Sequence, residues 1–162
     1  MSNLLDTPPA IVRSVSRNQQ QLAAWARVEK ELMALPGNRW EPSGLIHLFA
    51  PGIYIREIHM DPGYVLGAQH KGEHFNIILK GRVSVYMDGE WRLLKAPCTL
   101  RSGVDCRKFL LVHEKTVWQT VHPNPTNETD IEKLEDSLFV FTRHYLRERA
   151  KWQASKLKEG KR

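Results

Sequence analysis

The residues able to do chemistry gather in the middle of the chain. Between Gly63 and Gly81, His70 and His74 stand four apart with Glu73 beside the second. Neutral imidazoles bind divalent transition metals, and a carboxylate can join them or hydrogen-bond the far nitrogen of a ligating ring. On a turn-to-strand junction this spacing supports either a metal-holding pair or two hydrogen-bonded histidines lining the mouth of a barrel. Glu73 reads as a ligand, as an orienter of one ring, or as a solvated loop-end residue. His122 precedes Pro123 and either joins the same pocket or caps a strand. His47, His59, His113 and His144 have no supporting constellation. Cys98 and Cys106 are too few for a disulfide framework and read as free thiols, interior or half-buried. For Cys106 to act as a nucleophile, His122 would have to reach it in space. The chain has no G-x-S-x-G elbow, Walker loop, dinucleotide glycine run or H-E-x-x-H helix, which leaves hydrolytic and nucleotide-dependent chemistry without a motif.

The elements that must position these residues are mostly short strands. Leu45 to Ala50, Ile53 to Met60, His74 to Lys80, Arg82 to Met87, Trp91 to Leu94, Cys98 to Arg101, Lys108 to Val112, Thr116 to Val121 and Ser137 to Thr142 are rich in β-branched and aromatic residues. Turn signals separate them: Pro51-Gly52, Asp61-Pro62-Gly63, Asp88-Gly89, Ser102-Gly103 and Pro123-Asn124-Pro125. Short strands punctuated in this way predict a sandwich or barrel spanning 40–142. Asp88-Gly89 is the clearest hairpin, because a two-residue turn needs positive φ at its centre. Trp118 and Phe75 are expected in the wall or core.

The two ends read differently. Residues 1–15, with Pro8-Pro9, resemble an extended arm. Ser16 and Gln19 form a capping box ahead of Leu22, Trp25, Val28 or Glu29, Leu32 and Leu35, predicting an amphipathic helix over 16–36 that Pro36-Gly37 stops. Asn127 to Glu135 is expected as a short capped helix or loop, and Tyr145 to Leu157 as a last helix leading into a basic end.

At 162 residues the chain can bury one core, and its 41% hydrophobic and 26% charged residues are ordinary for a globular protein. The net charge of +6 belongs to residues 143–162, which hold eight Lys or Arg against Glu148 and Glu159; the rest balances at sixteen of each sign. Such a tail suits an acidic surface or nucleic acid, but it lacks the reading helix or aromatic platform of specific nucleic-acid binding. No apolar run approaches a membrane span, and the first residues lack the basic-then-apolar order of a signal peptide. The chain is therefore expected to stay in the cytosol where it is made, not to be secreted by a signal peptide.

The segment from Gly63 to Gly81 resembles the first cupin motif, G-x5-H-x-H-x3,4-E-x6-G, whose side chains hold a divalent metal. Aligned on Gly81, His74 stands at the glutamate position, His70 at the second histidine, and Ala68 where the first histidine would be. The second motif, P-x-G-x2-H-x3-N, falls on Arg101 to Cys106, with Gly103 matched and Cys106 in the histidine slot. More closely, residues 45–142 resemble the small cupin-like proteins of tailed bacteriophages. That likeness rests on Gly67, His70, Glu73, His74, Gly81, Asp88-Gly89, Glu114, Thr116-Val117-Trp118, Thr120, His122, Thr129-Asp130, Glu132 and Glu135. It implies an all-β core, a cupin-type jelly-roll barrel with an N-terminal and a C-terminal helix added. It also implies a metal set of His70, His74 and Cys106, with Glu73 and His122 behind them and zinc, iron, manganese or nickel as the ion.

Because that ligand set is short of the family's four, the expected function is a phage accessory or virion-associated scaffold rather than an enzyme. Its barrel and ends would bind other phage proteins, or an acidic surface through residues 143–162. A homo-oligomer, most simply a dimer, is expected because an open sheet edge invites pairing. The alternatives are a divalent-metal-dependent cupin enzyme acting on a small metabolite, and a nucleic-acid-associated protein using the basic tail.

Overall fold

The computed structural model describes residues 23–31, 34, 45–87 and 90–160. The expected arm over 1–15 lies outside them, as does the capping box at Ser16. The chain divides into two compact units, Trp40–Phe141 and the two ends, Met1–Arg39 with Thr142–Arg162.

The larger unit is the expected all-β core, built of two facing antiparallel sheets. Its strands are β1 (Leu45–Ala50), β2 (Gly52–Met60), β3 (Gly63–Leu66), β4 (Gln69–His70), β5 (His74–Lys80), β6 (Arg82–Met87), β7 (Glu90–Lys95), β8 (Cys98–Ser102), β9 (Phe109–Val112), β10 (Thr116–Asn124) and β11 (Phe139–Val140). One sheet runs β1-β2-β10-β5-β8, the other β3-β9-β6-β7, and β11 with β4 forms a two-stranded piece. Apart from β1 with β2 and β6 with β7, neighbouring strands are non-consecutive in the chain, the mark of a jelly roll rather than a meander.

Period-two alternation decides which side chains enter the barrel. From the first sheet come Met60, Ile78 and Trp118; from the second come Val83, Val85, Met87, Leu110 and Val112, and these eight form one buried cluster. Each such aliphatic side chain contributes on the order of 1.5–3 kcal/mol by leaving water. Met87 lies opposite Glu90, so the β6–β7 hairpin forms as expected; residues 88 and 89, its turn, fall outside the described set. Gly81 sits between β5 and β6 with φ of +96°, and a Cβ there would meet the Thr116 hydroxyl and lie 2.6 Å from Lys115 O. A side chain at this position is excluded both by conformation and by the close approach of β10.

Four strands depart most from the sequence reading. β3 and β4 were not expected, because Gly63–Leu66 and Gln69–His70 are too short to show a period. β10 runs past Val121 through His122 and Pro123. Its pairing with β5 ends at Val121, so beyond that point β10 pairs with β2 alone, and proline is tolerated on such a one-sided strand. Finally, the strand expected over Ser137 to Thr142 shrinks to Phe139–Val140. Helix α2 (Ile131–Leu138) takes up Ser137 and Leu138, and the Asp130 side chain accepts from the Glu132 and Lys133 amides at its N-cap.

In the smaller unit, residues 23–31 are helical (α1) and Arg143–Glu159 forms α3. Trp25 and Glu29, four apart on one face of α1, are both buried, and the Thr142 hydroxyl donates to Glu29 Oε1 at 2.6 Å. Glu29, not Val28, therefore occupies the inner stripe. Every side chain of α3 that the structure describes is exposed. Among the described residues, no helix is long and apolar enough to cross a membrane.

Candidate metal centre

Three histidines from three strands meet at one end of the barrel. His74 opens β5, His122 lies near the end of β10, and His70 arrives on β4 from across the barrel. His74 and His122 are each 3% exposed and His70 9%. One ring nitrogen from each lies within 4.8 Å of the other two, forming a three-donor group among the described residues. The rings of His70 and His74 stack at 3.8 Å between centroids, and His122 stands 5.2 Å from both.

The strand register explains this convergence. On β10 the inward residues are Thr116, Trp118, Thr120, His122 and Asn124, opposite Met60, Ile58, Arg56, Tyr54 and Gly52 of β2. On β5 they are His74, Asn76 and Ile78. Both strands thus pass from apolar to polar in the same direction, and the barrel has one dry end and one imidazole end. His70 is held by its backbone: its N–H donates to Cys106 O at 2.9 Å, and Phe139 of β11 is its Cα partner in the sheet. Gly67 keeps this approach tight, donating to Lys108 O at 2.9 Å where a Cβ would lie 3.3 Å from the same oxygen.

Aromatic residues wall the centre. The Phe139 ring meets His70 edge-on at 4.8 Å and His122 at 5.8 Å, while Tyr54 stacks on His122 at 5.9 Å. Tyr54 is fully buried, burial pushes its phenol up to about 12, and its hydroxyl shares a 2.7 Å hydrogen bond with His47 Nδ1. Arg56 lies over the Phe139 ring at 5.0 Å and pairs with Glu135 at 3.5 Å.

Burial keeps the three imidazoles neutral. It pushes His74 down to about 4, with the Lys108 ammonium adding to the effect, and His122 down to about 3, with His74, Arg56 and Lys108 adding. His70 is lowered further still, again chiefly by burial. The tautomer of His74 follows from its neighbours. A carbonyl can only accept, so the 3.1 Å contact of Nδ1 with Gly72 O places the proton on Nδ1 and the lone pair on Nε2. That lone pair faces the ammonium of Lys108, a 6% exposed residue, at 3.2 Å. His122 Nε2 lies 3.0 Å from the Thr120 hydroxyl. His70 Nδ1 is buried with no hydrogen-bond partner.

These features fit a divalent ion. The donors are neutral at ordinary pH, one is unmatched, and imidazole suits zinc, iron and nickel. Zinc–nitrogen bonds of about 2.1 Å in a tetrahedral site put two nitrogens about 3.4 Å apart, so donors that lie within 4.8 Å of one another have to close by at most about 1.4 Å.

The structure distributes the expected site residues unevenly. His70 and His74 face each other inside the barrel, as expected for the mouth of a β-sandwich. His122 completes the three-donor group instead of standing behind it. Cys106, expected as the third ligand, is not a member of that group; it is a half-buried free thiol whose backbone pairs with His70. Glu73 points outward and forms an ion pair with Arg101, where more than half of each side chain is exposed, so it orients no histidine. Of the two aromatics expected in the wall or core, Phe75 is 51% exposed, whereas Trp118 is 3% exposed and belongs to the core. Sequence reading had no purchase on Lys108, because a lysine at a strand start reads as solvated. His122 had a readable signal in the alternation Thr116, Trp118, Thr120, which continues to it once the strand is carried through to Pro123.

No family model matches the chain, and no curated protein matches it in sequence. Several solved structures are similar in fold. A cupin 2 conserved barrel domain protein from Salinispora arenicola aligns with a TM-score of 0.45 and 17% identity, over 54% of this chain and 82% of that one. A cupin-2 domain containing protein from Shewanella frigidimarina aligns at 0.44 and 9% identity, over 52% and 83%. A putative ethanolamine utilization protein from Salmonella typhimurium aligns at 0.42 and 15% identity, over 48% and 66%.

Proposed function

We propose that this chain is a metal-dependent cupin acting on a small metabolite, with His70, His74 and His122 as the protein ligands of one divalent ion such as zinc, iron, manganese or nickel. The reading is carried by three neutral, buried imidazoles from three separate strands converging on one point, one of them with an unmatched nitrogen. Three protein ligands leave coordination positions open, and an ion so held acts as a Lewis acid toward a substrate oxygen or lowers the pKa of a bound water. The protein's own part is positional. The Gly72 carbonyl fixes the tautomer of His74, Thr120 lies within hydrogen-bond distance of His122, and Phe139 with Tyr54 limits the tilt of the rings and excludes water. Metal analysis of protein purified without chelator tests the proposal. One equivalent of ion, lost in His70→Ala, His74→Ala and His122→Ala, supports it; a wild type free of metal under zinc, iron, manganese and nickel supplementation rejects it.

A second reading, the phage accessory or virion scaffold, draws on the exposed basic helix α3 and on the open β1 edge of the five-stranded sheet, where Ile46, Leu48 and Phe49 are each more than 40% exposed. Its phage attribution rests on the sequence resemblance alone. In this reading the chain pairs through β1 and residues 143–162 meet an acidic partner. A sedimentation mass of one chain that is unaffected by deleting residues 143–162 would count against both contacts.

A further inference from the structure

The five-stranded sheet has an outer face as well as the inner one that carries the histidines. Alternation turns Tyr54, His74 and Trp118 inward, so the residues between them project from the outside of the barrel. There Leu48 of β1, Ile55 of β2, Val121 of β10 and Phe75 of β5 stand side by side in one cross-strand row. Ile53 and Pro123 belong to the next row on one side, and Ile46 and Ile77 to the row on the other. Ile46, Leu48, Ile53 and Phe75 are each more than 40% exposed. A contiguous apolar face of this kind on a globular chain marks a surface that meets a partner.

The polar groups on the face narrow the choice of partner. Gln119 Nε2 donates to Glu57 Oε2 at 2.7 Å, Glu57 Oε1 shares a 2.7 Å hydrogen bond with His59, and Arg101 pairs with Glu73. Glu57 and Arg101 thus have counter-charges within the chain, so an acidic or basic partner gains little here, and two copies of the face bring no unmatched charge from these residues against each other. A two-fold axis through β10, the middle strand, lays the apolar row on its own mate, and flat sheets stack in this way at about 10 Å with interdigitating side chains. Size agrees. The five strands, five to nine residues long, span roughly 24 by 16–30 Å at the usual strand spacing and rise. Side-chain relief brings that footprint close to the roughly 800 Å² per partner of a standard stable interface.

We infer that the outer face of the five-stranded sheet is the contact between two copies of this chain, stacked sheet on sheet around the row Leu48, Ile55, Val121 and Phe75. The inference is independent of the metal reading, and it places the contact on the face of the sheet rather than on its β1 edge.

The experiment is sedimentation equilibrium on the full chain over roughly 1–200 µM, a range that brackets micromolar dissociation constants. Wild type is expected at twice the mass of one chain at the upper end, with a thermal midpoint that rises with concentration. Phe75→Lys is expected to raise the dissociation constant about thirtyfold or more, the loss typical of a central anchor, and to melt at a concentration-independent midpoint. Leu93→Lys, on the other sheet and 63% exposed, should match wild type. A wild type of one chain throughout overturns the inference. So does a dimer that survives Phe75→Lys, because pairing through β1 leaves this residue three strands away in solvent. A dimer broken by Leu93→Lys and not by Phe75→Lys moves the contact to the other sheet and overturns it equally. A one-chain wild type that floats with phosphatidylcholine vesicles, and loses this in Phe75→Lys, gives the face to a lipid surface and rejects the second copy. If Phe75→Lys does not melt cooperatively, Ile53→Lys, also exposed on the face, takes its place and the same outcomes decide.

Discussion

Asn76 and His74 are two residues apart on β5 and both face the barrel interior, yet the polar groups around them are treated in opposite ways. Asn76 is fully buried and fully matched: its amide donates to Ser102 Oγ at 2.9 Å and to Leu100 O at 3.5 Å, and its carbonyl accepts from Trp118 Nε1 at 3.2 Å. Around His74 the polar atoms are just as deeply buried, but His70 Nδ1 has no hydrogen-bond partner and a lysine ammonium faces an imidazole lone pair. A closed network ties β5 to β8 and β10 and specifies the register. An open one is held in place by the surrounding fold, and it retains donor atoms for something that is not protein. Buried polar groups that serve structure are expected to be satisfied, so the unmatched nitrogen of His70 beside two further buried imidazoles marks a candidate site.

Acid should separate the two networks most widely. The three histidines are neutral inside the protein, with His74 near 4 and His122 near 3, while an unfolded chain protonates them near the ordinary 6.5. Between those values the unfolded state binds more protons, so the stability these groups contribute is full above about pH 6.5 and is lost as the pH falls toward 4. Each histidine adds a slope of up to about 1.4 kcal/mol per pH unit. Urea midpoints should fall steeply across this window in wild type and less steeply in His122→Leu; a flat profile from pH 7 to 4.5 would contradict the neutral, buried cluster.

Next in size is the effect of ligand loss. His74→Ala should lower metal affinity by more than the roughly 10–100-fold that removing a group behind a ligand costs. Asn76→Ala, one pleat further along the same strand, should leave metal content unchanged in the folded protein. Matching metal loss in both variants would erase the distinction between the networks.

A smaller contrast concerns stability without metal. Asn76→Leu strands the Trp118 indole N–H and should cost about 1–3 kcal/mol in denaturant unfolding. His70→Leu removes a nitrogen that is already unmatched, and in the stripped protein it should be neutral or stabilising, the usual trade between stability and function. Equal losses in the two variants would show that His70 is matched in solution. The smallest effect is expected at Cys106, which is outside the three-donor group: Cys106→Ser should change metal affinity by no more than about twofold, within the ±0.5 kcal/mol typical of substitutions away from a critical contact.

Much of this organisation was legible residue by residue. β1, β5 and β6 have the bounds that their β-branched and aromatic runs predict. His70 and His74 stand out in sequence because they are near neighbours of an uncommon type. Strands β3 and β4 were not legible, since two to four residues cannot display a period and exist only where a partner strand offers hydrogen bonds.

Local chemistry therefore determined most of the strands, the turns and two of the three histidines of the centre, because alternation, turn propensity and short spacings are properties of neighbouring residues. Only the folded barrel decided the rest. It chose His122 over Cys106, turned Glu73 outward to Arg101, and brought Lys108 to His74, which is 34 positions away. The physical reason is register: which side chains share an interior is set by how strands distant in the chain slide against one another, and a shift of one residue would send His74 and His122 to the solvent face.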